Sequence, residues 1–284
     1  MLSQVLFSGL LMGLIYALVA VGLTLIWGVM DIINFAHGDL MMWGMFVAYW
    51  GFSLFGIDPL ASIPLSAIGL FMLGAFLYKL VIKRIVDAPL ITALLATYGL
   101  SLILKNSALL SFGPDYRTVD NPLLEGSWEL GELIVSRPKF VGALISIIVI
   151  SALFYFIKRT QTGRAIQAIS MDRTAALLVG VDAERLYTIT FGIGAALTGI
   201  AGAILTNFFT ISPESGSTYV LLSFVIVALG GFGSITGALG AGILVGIVAA
   251  ICGYYLSPAF KFAIIFAAYL VVVMLRPEKG LFGW

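Results

Sequence analysis

The chain has 284 residues, 61% of them hydrophobic and 10% charged, with a formal net charge of +1 and a mean hydropathy of +1.11. A soluble domain needs far more charged surface than that, so the composition points to a polytopic membrane protein, an all-α transmembrane helical bundle. No dense basic run suggests nucleic acid as a partner, and the single cysteine, Cys252, rules out an internal disulfide.

The start of the chain lacks a basic n-region and its apolar run continues too far for a cleavable signal, so Met1 to Met30 is read as a mature first span. Crossing a bilayer core of about 30 Å takes about 20 helical residues. Further uncharged runs follow at 40–57, 59–78, 88–104, 140–157, 186–213, 215–260 and 262–275. The run 215–260 is about twice the crossing length and must fold back, with the break expected at Gly230 to Gly237. Eight or nine spans result, some of them broken or re-entrant, in one transmembrane domain over residues 1–284.

Basic residues beside apolar spans are retained on the cytoplasmic side. Lys79, Lys83 and Arg84 mark one such turn, the loop 160–185 a second, and Arg276 with Lys279 a cytoplasmic C-terminus. The segment 112–138 carries Asp115, Asp120, Glu125, Glu129 and Glu132 against Arg117 and Arg137, and suits the outer face. Alternation then puts the N-terminus outside, with 28–40 and 230–237 on the inner side. Lys105 and Lys261 interrupt apolar stretches near the expected outer end, either snorkelling to headgroups or lining a path. Gly9-x-x-x-Gly13, Gly233-x-x-x-Gly237 and Gly242-x-x-x-Gly246 allow close helix approach.

Three stretches could carry function. Between Gly28 and Asp39 lie Asp31, Asn34, His37, Gly38 and Asp39. A short helix there would set Asn34, His37 and Gly38 on one side as a gate in a path; the plainer alternative is a loop whose polar residues cap helices. One histidine beside two carboxylates is too little for a metal site. The glycine-rich stretch 229–242 lacks a phosphate-loop lysine and a preceding strand. It is read as a broken helix or tight turn, with Ser234 and Thr236 as path candidates. In the loop 160–185, Ile166, Ile169, Ala176, Leu177 and Val181 recur at helical steps, with Gly163 and Gly180 at the two ends of one helix. That helix either lies amphipathically on the membrane or docks a soluble partner that moves the spans around it.

At these places the chain resembles the permease subunits of bacterial ABC importers for branched-chain amino acids, the first of the two related permease halves. Gly22-Leu-Thr-Leu-Ile-Trp-Gly-Val with Ile33-Asn-Phe-Ala-His-Gly-Asp resembles that half's N-terminal signature, and Leu229-Gly-Gly-Phe-Gly-Ser-Ile-Thr-Gly-Ala its C-terminal one. Thr174-Ala-Ala-Leu-Leu-Val-Gly180 is similar to the importer pattern Glu-Ala-Ala-x-x-x-Gly, with Ala175, Ala176 and Gly180 matching and Thr174 in place of the glutamate. The pattern's downstream Ile-x-Leu-Pro is replaced by Thr190-Phe-Gly-Ile193.

The resemblance implies a complex in the bacterial cytoplasmic membrane: a second permease subunit, two ATPase subunits and an outer solute-binding protein. Gly163, Arg164, Arg173, Thr174, Ala175, Ala176 and Gly180 would then form the coupling region. ATP and magnesium would reside in the partner ATPases, with no cofactor or active site in this chain. Related permeases carry urea, short amides or sugars, so the resemblance implies mechanism more firmly than cargo. Two rivals remain open. An ion-coupled transporter needs carboxylates inside the membrane, yet Asp31, Asp39 and Asp58 fall near span ends. A membrane-embedded enzyme needs paired reactive groups, which one histidine and one distant cysteine do not offer.

Overall fold

The computed structural model describes residues 2–120, 124–130, 133–256 and 260–275; of the expected charge markers, Glu132, Arg276 and Lys279 lie outside them. Among the described residues, nine helices are apolar: α1 (Leu2–Met30), α2 (His37–Phe55), α3 (Ile63–Leu80), α4 (Leu90–Phe112), α5 (Arg137–Arg159), α8 (Ala183–Leu205), α9 (Ser215–Gly230), α10 (Ile235–Tyr255) and α11 (Phe260–Leu275). Six of them are long and apolar enough to cross a membrane by length and composition. Two short helices, α6 (Gln161–Met171) and α7 (Arg173–Leu178), fill the polar loop after α5.

Local chemistry sets the boundaries. Pro64 and Pro138 stand in the first turns of α3 and α5, where the missing N–H costs nothing. Thr160, Asp172, Asp182 and Ser234 each accept a hydrogen bond from a first-turn N–H of α6, α7, α8 and α10. The long run after Ser215 folds back where Gly231 and Gly233 take φ of 89° and 78°, a conformation that side-chain-bearing residues avoid.

Two local expectations are corrected. Residues 31–36 form no helix, so Asn34 does not share a helical face with His37 and Gly38; Asp31 turns the chain at φ 53°. The loop helix from Gly163 to Gly180 is two helices, because Asp172 is extended and spends its carboxylate on the Ala175 N–H. Within the segment 112–138, β1 (Ser127–Leu130) and β2 (Leu133–Ser136) form an antiparallel hairpin pairing Ser127 with Ser136, which the sequence reading did not foresee.

α1 is the hub, with 89% of its most apolar window buried, and a helix covered on every side needs no polar face. It lies antiparallel to α10. A Cβ on Gly13 would stand 2.7 Å from Ile243 Cα, and one on Gly9 2.8 Å from Ile247 Cα. Apolar side chains gain little by leaving lipid for protein, so such backbone approach is what holds spans together. α3 packs on α8 in the same way, through Gly199 against Ser66 and Leu70.

The helices fall into two sets of opposite sense. α1 packs on α10 as α8 packs on α3, and α2 packs on α8 as α9 packs on α1. In each set a long helix (α1, α8) is followed by a non-helical return (31–36, 206–214) and then a helix that starts deep in the bundle (α2, α9). The sets meet at Gly22 with Gly194, where a Cβ on either would lie within 3.0 Å of the other's carbonyl oxygen, and at Gly38 with Gly216. This inverted arrangement is a common transporter plan.

Candidate functional site

One end of the bundle gathers the loop helices and the basic turn after α3. Gly163 is enclosed within α6, where a Cβ would meet Ile157 Cα at 2.6 Å. Ile166 and Ile169 are buried beside it, while Arg164 and Gln167 face outward. In α7 only Ala176 is buried; Arg173, Thr174 and Ala175 are exposed, and Gly180 ends the stretch at φ 86°. Met171, Leu178 and Val179 are 88%, 84% and 80% exposed. These three form an apolar tip that the rest of the protein leaves uncovered, on a loop rich in charge.

That tip is tied to the spans. Both guanidinium Nη atoms of Arg173 bond the two carboxylate oxygens of Asp87, in the connection between α3 and α4, and its Cζ sits 5.6 Å from the Tyr187 ring centre on α8. The Arg173 hydrogen bonds hold the Asp87 carboxyl below its ordinary value, and Asp87 in turn raises Arg173. Beside them, Lys83 Nζ lies 2.6 Å from Glu184 Oε1. Arg173 thus links α7 to the α3–α4 connection, and Lys83 links that connection to α8.

The path candidates lie in two separate places. Asn34 and His37 are fully buried at the start of α2. Asn34 Oδ1 accepts the Ala36 N–H at 3.1 Å, an Asx-type turn, while its Nδ2 has no partner. His37 Nε2 lies 2.9 Å from the Val19 carbonyl oxygen; that oxygen only accepts, so Nε2 carries the proton, and the buried Nδ1 is unpartnered. Gly38 is pressed against Gly216 and Val220 of α9.

Ser234 and Thr236 sit instead at the loop end. Ser234 Oγ accepts the Gly237 N–H at 3.1 Å and lies 3.4 Å from Thr236 Oγ1. Both line a cavity of about 310 Å³ with Gly28, Lys158 and Gln167. Lys105 and Lys261 both have partners: Lys105 Nζ is 2.6 Å from Glu214 Oε2, and Lys261 Nζ is 3.4 Å from Tyr16 Oη. Among the described residues no cluster of three or more His, Cys, Asp or Glu side chains could hold a metal.

Sequence reasoning missed the exposed tip. Its helical stripe caught the inward-facing Ile166, Ile169 and Ala176 but also the exposed Leu177, and Leu178-Val179 off that stripe was the available signal.

The family described as "Branched-chain amino acid transport system / permease component" matches residues 5–275. The chain belongs to this family. The permease is 32% identical to the "High-affinity branched-chain amino acid transport system permease protein LivH" of Escherichia coli, over 99% of this chain and 95% of that protein. It is 31% identical to the corresponding protein BraD of Pseudomonas aeruginosa, over 99% and 95%. A "Ribose import permease protein RbsC" of Bacillus subtilis is 29% identical over 46% of this chain and 42% of its own length. No solved structure matches the permease. It is thus a multi-pass membrane component of a transport system, in a family of transporter parts rather than enzymes.

Proposed function

We propose that the permease is one of two membrane subunits of an ATP-driven importer in the bacterial cytoplasmic membrane, and that it forms part of the path for branched-chain amino acids. Its N-terminus and the 112–138 segment face outward, and the 160–185 loop faces the cytoplasm, where cationic loops are retained. Two ATPase subunits, which hold ATP and magnesium, grip α6 and α7, and an outer solute-binding protein delivers the cargo. The permease itself carries no cofactor.

The observation that carries this reading is the apolar tip at Met171, Leu178 and Val179, bound to the spans through Arg173 and Asp87. An interfacial helix would turn its apolar face toward the membrane. Here the buried face of α6 packs on the protein, and the apolar residues left over project away from it. Arg164, Thr174, Ala175 and Gly180 are exposed polar and small residues on the same two helices and the turn that follows them. Ser234 and Thr236, beside α6, place the α9–α10 turn where a loop movement would reach it. The names of the relatives that align over nearly the whole chain support branched-chain amino acids as cargo; the ribose relative aligns over less than half of it.

Co-purification in mild detergent tests the proposal. A second permease and an ATPase should elute with the chain and be identified by mass, and uptake of labelled leucine into vesicles should require ATP. Leucine accumulation by the chain alone, driven by an ion gradient, would refute it.

A further inference from the structure

The helices α2 and α9 both begin inside the bundle, and their first turns meet. Gly216 lies so close to Gly38 that a Cβ on it would stand 2.9 Å from the Gly38 carbonyl oxygen and 2.8 Å from Asp39 Oδ1. From this junction α2 runs toward the hairpin end and α9 toward the loop end. Ser101, the central residue of α4, donates from Oγ to Asp39 Oδ2. One turn further along α4, Lys105 Nζ is 2.6 Å from Glu214 Oε2, just before α9. Two carboxylates, a hydroxyl and an ammonium group are thus collected between the middle of α4 and its hairpin-side half, on an otherwise apolar bundle.

Such groups are costly in hydrocarbon and are retained there for function. Their roles in holding the fold are slight. α4 packs mainly on α2, with few other neighbours, and Lys105 is only partly buried, its side chain 29% exposed, against Glu214 at 66%. A half-open pair is readily exchanged for other partners. The same helices carry exposed apolar side chains: Tyr98, one turn before Ser101 on α4, is 50% exposed, and Leu221 on α9 is 48% exposed.

The complement of this surface is a small molecule with one ammonium, one carboxylate and a short aliphatic tail. We propose that the α2–α4–α9 junction is the station at which the permease holds the zwitterionic head of an aliphatic amino acid. Asp39 and Glu214 receive the α-ammonium, Lys105 turns from Glu214 to the α-carboxylate, and the side chain lies against Tyr98 and Leu221. This inference rests on the amino-acid permease reading.

Thiol protection tests it in the full complex in bilayer discs. Leu102 is 43% exposed on the same stretch of α4, and the native Cys252 is buried. In Leu102→Cys, saturating leucine should slow labelling by a small charged thiol reagent several-fold. Isopentylamine, which lacks the carboxylate, and 4-methylpentanoate, which lacks the ammonium, should not. Adding Lys105→Met should abolish the protection, while Lys105→Arg should keep part of it; the paired variant Lys83→Met, at the other end of the bundle, should leave it intact. Unprotected labelling in discs that still take up leucine with ATP would overturn the station and leave the permease reading standing. Absence of both protection and ATP-dependent uptake would overturn the two together.

Discussion

The α6–α7 loop and the α2–α9 junction break the solvent rule in opposite directions. The loop stands among charges yet leaves Met171, Leu178 and Val179 uncovered, whereas the junction lies among apolar helices yet encloses Asn34, His37 and Asp39. Each exception is expensive where it stands, one as exposed apolar area and the other as buried polarity. On the proposed reading, a partner subunit covers the loop and removes its cost, and a polar solute or a moving helix supplies the junction with partners. A chain of contacts runs from one region to the other: Arg173 bonds Asp87 ahead of α4, and α4 carries Ser101 to Asp39.

The contrast can be broken most severely at Gly38. Gly38→Leu would drive a side chain into the Gly216 and Val220 backbone, and overpacking of this kind costs about 1–3 kcal/mol or more. Little folded protein should survive, as read by fluorescence-detected size exclusion; normal yield would mean that the two helices part easily. Next in size is Leu178→Asp at the exposed tip. It should lower ATP-dependent leucine uptake at least about tenfold, the equivalent of roughly 1.4 kcal/mol of docking, with normal membrane insertion. Unchanged uptake would remove the tip from any interface.

A smaller effect is expected at the tie between the regions. Asp87→Asn and Arg173→Gln should each reduce uptake per ATP hydrolysed a few-fold, and the exchanged pair Asp87→Arg with Arg173→Asp should restore part of it. The pH sign follows from the depressed Asp87 carboxyl. Its contribution is complete above the ordinary Asp value of about 3.9 and is lost as pH falls through the lower folded value. Uptake per ATP should therefore show no Asp87-dependent step between about pH 5 and 8; such a step, absent from Asp87→Asn, would contradict the assignment.

The smallest effect belongs to Asn34. Its Oδ1 closes a local turn, so Asn34→Ala should cost about 1 kcal/mol of stability. If the unpartnered Nδ2 meets solute or a moving helix, uptake should fall further than the amount of assembled protein. Proportionate losses in the two would reduce Asn34 to a turn former.

Much of this architecture was legible in order along the chain. The membrane class, the reversal at Gly230 to Gly237, and the close-packing glycines of α1 and α10 follow from composition and spacing, because hydropathy and backbone freedom are local properties. The division of the loop at Asp172 was less legible: the apolar steps continue across it, and only the capping bond reveals that the helix restarts. The hairpin at 127–136 was hidden in the same way, since four-residue strands carry too little alternation to stand out in a segment rich in charge.

The sequence by itself determined that this is a helical membrane protein with a cationic loop between α5 and α8 and a glycine turn between α9 and α10. Only the tertiary structure decided that Gly38 meets Gly216, that Lys105 meets Glu214, and that Arg173 reaches Asp87. Those pairs lie far apart along the chain, and helix contacts within a bilayer depend on where backbones approach, which no local period encodes.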